Sequence, residues 1–148
     1  MKDHRLRQPI QEPYATALGT AAFCFAICEW NAVWCCERMK AGSINEIKDR
    51  TAGKIHKRMK HLVSLMPSAP DHQELVDACA EFDSMVKVRN RILHGKPGAA
   101  PGNQPRLFHD GGPWEISDLE DAADAFSVCS QRLNTLAHGY LATFPGLP

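Results

Sequence analysis

The chain has 148 residues, of which 44% are hydrophobic and 23% are charged, and this is enough apolar content for one folded domain. Seventeen Lys and Arg balance seventeen Asp and Glu, so the formal net charge is zero and no global field attracts nucleic acid or anionic lipid. Binding to a polyanion would therefore need a local cluster of charge. We predict a single domain over residues 1–148, with an N-terminal tail at 1–12.

The cysteines and the apolar runs limit the cellular setting. Four of the six cysteines fall between Cys24 and Cys36, and no Cys-x-x-Cys pair occurs. We expect reduced thiols in a cytoplasmic protein, and neither a metal nor a cofactor. The apolar run "AAFCFAIC" ends at Glu29, short of the roughly 20 residues that cross a bilayer, so we expect no membrane segment.

Apolar residues at spacings of three and four predict four helices. The first runs from about Tyr14 to Met39. The others each begin where a short polar residue precedes a glutamate by three positions, the pattern of a capping box. These pairs are Ser43 with Glu46, Asp71 with Glu74, and Ser117 with Glu120. Short early connections favour antiparallel neighbours, so the expected fold class is all-α, an antiparallel up-down four-helix bundle.

The first predicted helix is apolar on two faces. One face carries Phe23, Ile27, Trp30 and Trp34, and the other carries Leu18, Ala22, Phe25, Val33 and Cys36. A single packing partner would leave much of this surface exposed, so we expect a central helix or one shared with a second subunit. Although Trp side chains can stack on bases, we interpret Trp30 and Trp34 as core residues.

The segment 96–116 between the third and fourth helices is rich in proline and glycine. Within it, "RLFHDGGPWEI" places an Asp-Gly turn between two short extended runs, which favours a small β-hairpin. A disordered surface loop is the alternative. The segment leaves the third helix directly after His94, where it is placed to form a flap.

The stretch "VRNRILHGKPG" breaks the apolar pattern of the third helix. The stripe from Leu75 to Val86 continues to Arg89, an always-charged side chain in line with the core. Desolvating a guanidinium costs several kcal/mol unless a partner compensates. Two partners are open: Glu29, which lies inside the apolar first helix, or an anion such as phosphate.

His94 follows Arg89 by five residues, which places the two side chains about 140° apart on one ideal helix. They converge if the helix unwinds at Gly95, or if a two-fold axis brings together the motifs of two subunits. Asn90 stands four residues before His94 on the same face. We therefore expect its amide to orient the imidazole.

These residues carry a family resemblance. "RNRILHG", Arg89 to Gly95, resembles the motif of the HEPN superfamily (higher eukaryotes and prokaryotes nucleotide-binding), four-helix domains with an arginine, a polar residue and a following histidine near the end of the third helix. The resemblance implies a homodimeric, metal-independent endoribonuclease of defence or toxin systems, in which attack by the ribose 2′-hydroxyl gives a cyclic phosphate. Arg89 would bind phosphate, His94 would transfer protons, and Asn90 would be the polar residue that orients the site.

The resemblance also leaves alternatives open. We predict Arg91, Lys96 and Glu29 as further substrate-binding residues. In the toxins that pair with a nucleotidyltransferase, a tyrosine follows the histidine by two positions, where this chain has Lys96, so that subgroup is less expected. An antitoxin or nucleotidyltransferase partner remains open. The alternative function is a non-catalytic HEPN-like scaffold that binds a nucleotide or a protein.

A local excess of positive charge marks the second predicted helix, Ile44 to His61. Its cations are Lys48, Arg50, Lys54, Lys57, Arg58 and Lys60, against the carboxylates of Glu46 and Asp49. Such a face is suited to an RNA backbone. We favour the alternative that the acidic start of the last helix neutralises it. The residues concerned are Glu115, Asp118, Glu120, Asp121 and Asp124.

Overall fold

The computed structural model describes residues 3–148, so Met1 and Lys2 of the predicted tail lie outside the described residues. Within that range the chain is mostly helical and carries one small antiparallel sheet. The helices are α1 (Glu12–Met39), α2 (Ser43–Ile47), α3 (Ala52–Leu65), α4 (His72–Leu93) and α5 (Ile116–His138). The strands are β1 (Lys96–Ala100), β2 (Gln104–His109) and β3 (Gly112–Pro113), and short 3-10 helices span His4–Arg7 and Tyr140–Ala142. The all-α prediction is therefore incomplete.

Helix α1 is the centre of the fold. It packs against α5 along much of its length and also against α3 and α4. The ring of Phe25 stacks on Phe82 of α4 at 6.4 Å and meets Phe126 of α5 edge-on at 5.2 Å, and these two contacts join three helices. With 28 residues, α1 is long and apolar enough to cross a membrane, a test that the core helix of a soluble protein also passes.

The second predicted helix is two helices, α2 and α3, with a turn between them. The Glu37 carboxylate of α1 accepts hydrogen bonds from the amides of Gly42 and Ile44 at 3.0 and 2.8 Å, which fixes the start of α2 at the end of α1. The chain then turns, and Thr51 in extended conformation begins α3. The break lets both segments place apolar side chains, Ile47 and then Ile55, in the core.

None of the predicted capping boxes forms. Ser43 is buried and its hydroxyl has no hydrogen-bond partner among the described residues, because Glu37 supplies the cap. Asp71 occupies the cap position of α4 but makes no side-chain cap bond. At α5 the box uses Glu115 and Asp118, two residues before the predicted Ser117 and Glu120. The pattern of a polar residue followed by glutamate therefore predicted where the helices begin, but not which side chains bond to the free amides at those ends.

The hairpin predicted within 96–116 is confirmed, and β1 extends it to a three-stranded sheet in the order β1-β2-β3. His109 pairs with Gly112 across the Asp-Gly turn. The sheet is anchored by Arg106, whose buried guanidinium lies 4.6 Å from the ring centroid of Tyr14. That guanidinium donates to Glu115 at 3.1 Å, to the carbonyl of Pro105 at 2.9 Å and to Gln104 at 2.8 Å. The bond to Glu115 and the contact with the Tyr14 ring join the hairpin to the starts of α5 and α1.

All six cysteines are free thiols, and five of them are buried where α1, α4 and α5 meet. Burial raises the pKa of Cys79 to about 11 and that of Cys35 to about 12. Cys24, the sixth, is half-buried. Thiols with a pKa this far above neutrality are protonated and unreactive in the folded protein.

Candidate functional site

Arg89 lies in a groove of about 190 Å³ between α1 and α4. Its guanidinium carbon is 5.5 Å from the ring centroid of Phe25, and its Nη1 donates to Oδ1 of Asn90 at 2.9 Å. The rest of the groove is mostly apolar, with Ala22, Ala26, Ile92 and Leu93 among its lining residues. The stripe of α4 thus places a half-buried positive charge in a small apolar groove.

Glu29 of α1 lines the same groove but makes no direct ion pair with Arg89 among the residues described. Burial raises the pKa of the Glu29 carboxyl, and the attraction of Arg89 opposes that shift without cancelling it. The two groups therefore act on each other through space. Of the two partners that the sequence leaves open, Glu29 makes no direct ion pair with Arg89 within the described residues, and Arg89 bonds to its neighbour Asn90 and packs on Phe25 instead.

His94 closes α4. Its amide donates to the carbonyl of Asn90 at 2.9 Å, and its side chain is exposed. In the described part of the chain, no hydrogen bond involves its imidazole. The predicted bond from the Asn90 amide to that imidazole is therefore wrong, and the Asn90 oxygen accepts from Nη1 of Arg89 instead. In the range that the structure describes, no hydrogen bond joins Arg89 to His94, and His94 is not among the residues that line the groove of Arg89.

Gly95 has a packing role, and the helix does not unwind there, although unwinding is one of the two ways in which Arg89 and His94 could converge. Its amide donates to the carbonyl of Ile92 at 3.1 Å, so the helix ends tightly. A Cβ at this position would lie 2.9 Å from the Cβ of Leu107 and 3.0 Å from the carbonyl oxygen of Ile92. Only glycine lets β2 cross the end of α4 this closely, directly beside His94.

Arg91 anchors the hairpin to α4. It donates from Nη2 to Nδ1 of His109 at 3.0 Å, and its guanidinium carbon lies 5.5 Å from the ring centroid of Trp114. The amide of Gly111 donates to the same Nδ1 at 2.9 Å, so Nδ1 is an acceptor and the ring proton is on Nε2. The sequence did not predict this cluster, although His109 and Trp114 flank the Asp-Gly turn. Lys96, the other predicted cation, is exposed on β1.

The exposed side of α1 carries a row of large apolar side chains, here called the α1 apolar face. Phe23, Ile27, Trp30 and Trp34 are 68, 46, 43 and 40% exposed. The core assignment of the two tryptophans is wrong: they pack edge-on against each other at 6.4 Å, on the surface. Ala22 and Ala26, also exposed, join this face to the groove that holds Arg89.

Comparisons of the chain with family models, with curated proteins and with solved structures found no match.

The favoured neutralisation of the basic segment by the start of α5 is wrong, because α3 packs against α1 and α4. At the start of α5, Glu115 pairs with Arg106 and Asp118 caps the helix. Of the six cations in that segment, only Arg58 forms an ion pair among the described residues, with Glu46 at 2.9 Å. Within residues 3–148, no three His, Cys, Asp or Glu side chains are grouped to hold a metal ion.

Proposed function

We propose that this chain is a cytoplasmic HEPN-like domain, with α1, α3, α4 and α5 as an antiparallel four-helix bundle, that cleaves or binds RNA as a homodimer. Its cleft would hold Arg89, Asn90 and His94 of both chains. One observation carries the proposal: the groove that holds Arg89 opens onto the α1 apolar face. A second copy that covers this face also closes the groove.

The α1 apolar face suits contact with its own copy across a two-fold axis. Large side chains such as Phe23 and Ile27 lie beside a row of small ones, Ala22 and Ala26, so the ridge of one helix fits the groove of the other. The helix is about 42 Å long, and antiparallel contact centred near Ala26 brings Glu12 of one chain close to Arg38 of its partner. A contact of this length can bury the roughly 1,000 Å² that a specific dimer needs.

The side chains in this cleft suit cleavage of a phosphodiester by its own ribose. One imidazole takes the proton of the 2′-hydroxyl as the 2′-oxygen bonds to phosphorus, and the second imidazole donates a proton to the departing 5′-oxygen. The products are a 2′,3′-cyclic phosphate and a 5′-hydroxyl. Arg89 stabilises the charge that builds up on the phosphoryl oxygens. Since His94 is exposed and without a described partner, it is available for this role.

The test is cleavage of several unrelated RNAs, with detection of the cyclic phosphate ends. We expect His94→Ala to lower the rate by about 10²- to 10⁴-fold, the usual contribution of a proton-transfer group. The matched control is His138→Ala, since His138 is an exposed histidine in the last turn of α5. An inert parent, or a His94→Ala variant as fast as the parent, contradicts the catalytic proposal.

The dimer is tested by light scattering at micromolar concentration. The expected mass is twice the 16.4 kDa of the chain, and Ile27→Glu is expected to halve it. Leu65→Glu places the same charge at a 55% exposed leucine on α3 and should leave the dimer intact. A monomeric parent contradicts both the dimer and the shared cleft.

A non-catalytic HEPN-like scaffold is the second candidate, and one observation favours it. Arg89 already has Asn90 and Phe25 as partners within one chain, so it needs no bound anion. Such a scaffold would bind a nucleotide, or a protein such as an antitoxin or a nucleotidyltransferase. It is supported if the parent protein binds RNA or a nucleotide without ever releasing a cyclic phosphate.

A further inference from the structure

We infer that the outer side of α3 is a docking surface for the phosphate backbone of RNA, which it guides towards the end of α4. This surface, here called the α3 basic face, consists of Lys54, Lys57, Lys60 and His61, all exposed. The inference rests on the proposed function, because it assigns a path to the RNA that the cleft would act on.

The α3 basic face is one-sided. The buried residues of α3, such as Ile55, Met59 and Leu62, all point towards α1 and α4. At 100° per residue, Lys54, Lys57 and Lys60 fall within an arc of about 120° on the opposite side and span about 9 Å along the axis. Three ammonium groups therefore form one row along the helix.

The carboxylates of Glu46 and Asp83 are already engaged. Glu46 pairs with Arg58 at 2.9 Å, and Asp83 of α4 pairs with Lys87 at 2.6 Å and with Nδ1 of His56 at 3.1 Å. In the part of the chain that the structure describes, no ion pair joins a carboxylate to the lysines of the row. Lys60 acts through space on the Asp83 carboxylate, so the charges of Lys54 and Lys57 are the ones left for a ligand, although the whole chain is neutral.

The row also points in a useful direction. Helices α3 and α4 are antiparallel, since His56 contacts Asp83 while Nε2 of His72 lies 3.0 Å from the carbonyl of Val63. The beginning of α3 therefore lies towards the end of α4, where His94 is found. From the level of Asp83 to His94 is about 16 Å along the axis. A strand of several nucleotides on the row would extend towards the cleft.

The chemistry of the face favours a linear polyanion over a lipid surface. A membrane-binding helix places large apolar side chains beside its cations. Between Lys54 and His61, the exposed residues are three lysines and one histidine, and none of them is apolar. A row of single charges matches the repeating phosphates of a nucleic acid strand, and each contact releases counterions on binding.

The experiment measures binding of a fluorescently labelled 20-nucleotide single-stranded RNA at several salt concentrations, in the His94→Ala background so that cleavage is slow during the measurement. The Lys54→Gln/Lys57→Gln variant should lower the slope of log K against log salt by about 1.4, since each single-strand contact contributes about 0.7. At 0.1 M salt this corresponds to an affinity loss of about 25-fold. The Lys54→Arg/Lys57→Arg variant keeps the charge and should bind like the parent.

A matched variant, Arg7→Gln/Lys40→Gln, removes two positive charges outside the α3 basic face and should keep the parental slope. Equal losses in the two neutralised variants, or parental binding by Lys54→Gln/Lys57→Gln, overturn the inference. Cleavage of a dinucleotide, too short to reach α3, is measured separately in proteins with His94 intact. If the dinucleotide is cut normally while the slope is unchanged, the proposed catalysis stands and the docking surface fails. If the slope falls in Lys54→Gln/Lys57→Gln but no RNA is cut by the protein with His94 intact, the docking surface stands and the proposed catalysis fails.

Discussion

Replacement of Arg89 by Met separates a structural arginine from a ligand-binding one. Methionine keeps most of the aliphatic packing and removes the charge. What is lost is one hydrogen bond to Asn90 and the contact with the Phe25 ring, on a half-buried side chain. Together these contribute about 1–2 kcal/mol to the free energy of unfolding. Breaking a buried ion pair would cost more, about 3–5 kcal/mol.

Thermal unfolding and urea titration measure this difference. For a chain of this size we expect Arg89→Met to lower Tm by roughly 3–6 °C, and to weaken RNA binding or cleavage far more than that stability loss accounts for. A loss above about 3 kcal/mol would mean that Arg89 holds the fold together, and that its link to Glu29 is a true ion pair. Unchanged RNA binding would remove its role as the phosphate ligand.

The substitution Glu29→Gln, on the other side of the groove from Arg89, should not lower the free energy of unfolding as Arg89→Met does. Burial raises the pKa of Glu29 above its ordinary value of 4.5, and Arg89 only partly offsets this. The folded state therefore favours the protonated carboxyl: its contribution to stability is complete below pH 4.5 and is lost as the pH rises through the folded pKa. Glu29→Gln should leave stability unchanged or increase it at pH 7, with the gain disappearing at pH 4. A destabilised variant at pH 7 refutes this assignment.

Three further predictions concern the surroundings of the site. Arg106→Met should lower the free energy of unfolding by about 2–4 kcal/mol and speed hydrogen exchange in the hairpin, because three hydrogen bonds of a buried guanidinium are lost. Exchange rates equal to those of the parent would contradict its anchoring role. Gly95→Ala should lower the free energy of unfolding by about 1–3 kcal/mol, because the added methyl group clashes with Leu107. Gly53 has no atom within 4 Å of an added Cβ, so Gly53→Ala should not destabilise the protein. Equal effects of the two variants on unfolding would refute the close approach at Gly95. Burial lowers the pKa of His56 below 6.5, so its stabilising effect is present above pH 6.5 and lost as the pH falls. His56→Gln should accordingly flatten the fall in unfolding free energy between pH 7.5 and 5.5, and an unchanged slope would count against it.

Periodicity predicted the long helices and the groove position of Arg89 because both depend on which face of a helix is apolar. It could not place the break between α2 and α3, which is set by a long-range cap from Glu37. The same holds for the sheet: the Asp-Gly turn is a local signal, whereas the pairing of β1 with β2 and the close approach of β2 to Gly95 are contacts between separate segments.

The details of the candidate site were less predictable, because competition between partners decides them. Asn90 bonds to Arg89, its neighbour in the chain, and not to His94 one turn further on, and helical spacing alone does not decide between these two partners. The exposure of Trp30 depends on how many helices surround α1, which spacing along one helix does not specify. The sequence predicts Arg91 as a substrate-binding residue, whereas in the structure it bonds to His109, a residue 18 positions away.

The distribution of the cysteines makes the protein its own unfolding reporter. In the native state only Cys24 is partly accessible, while the other five thiols are enclosed by α1, α4 and α5. A thiol reagent counted by mass spectrometry would therefore separate molecules that carry at most one label from fully opened ones that carry six. At low reagent concentration, the rate at which the heavier species accumulates reports how often the helices separate. Each substitution proposed above can then be ranked in dilute buffer, without heat or denaturant.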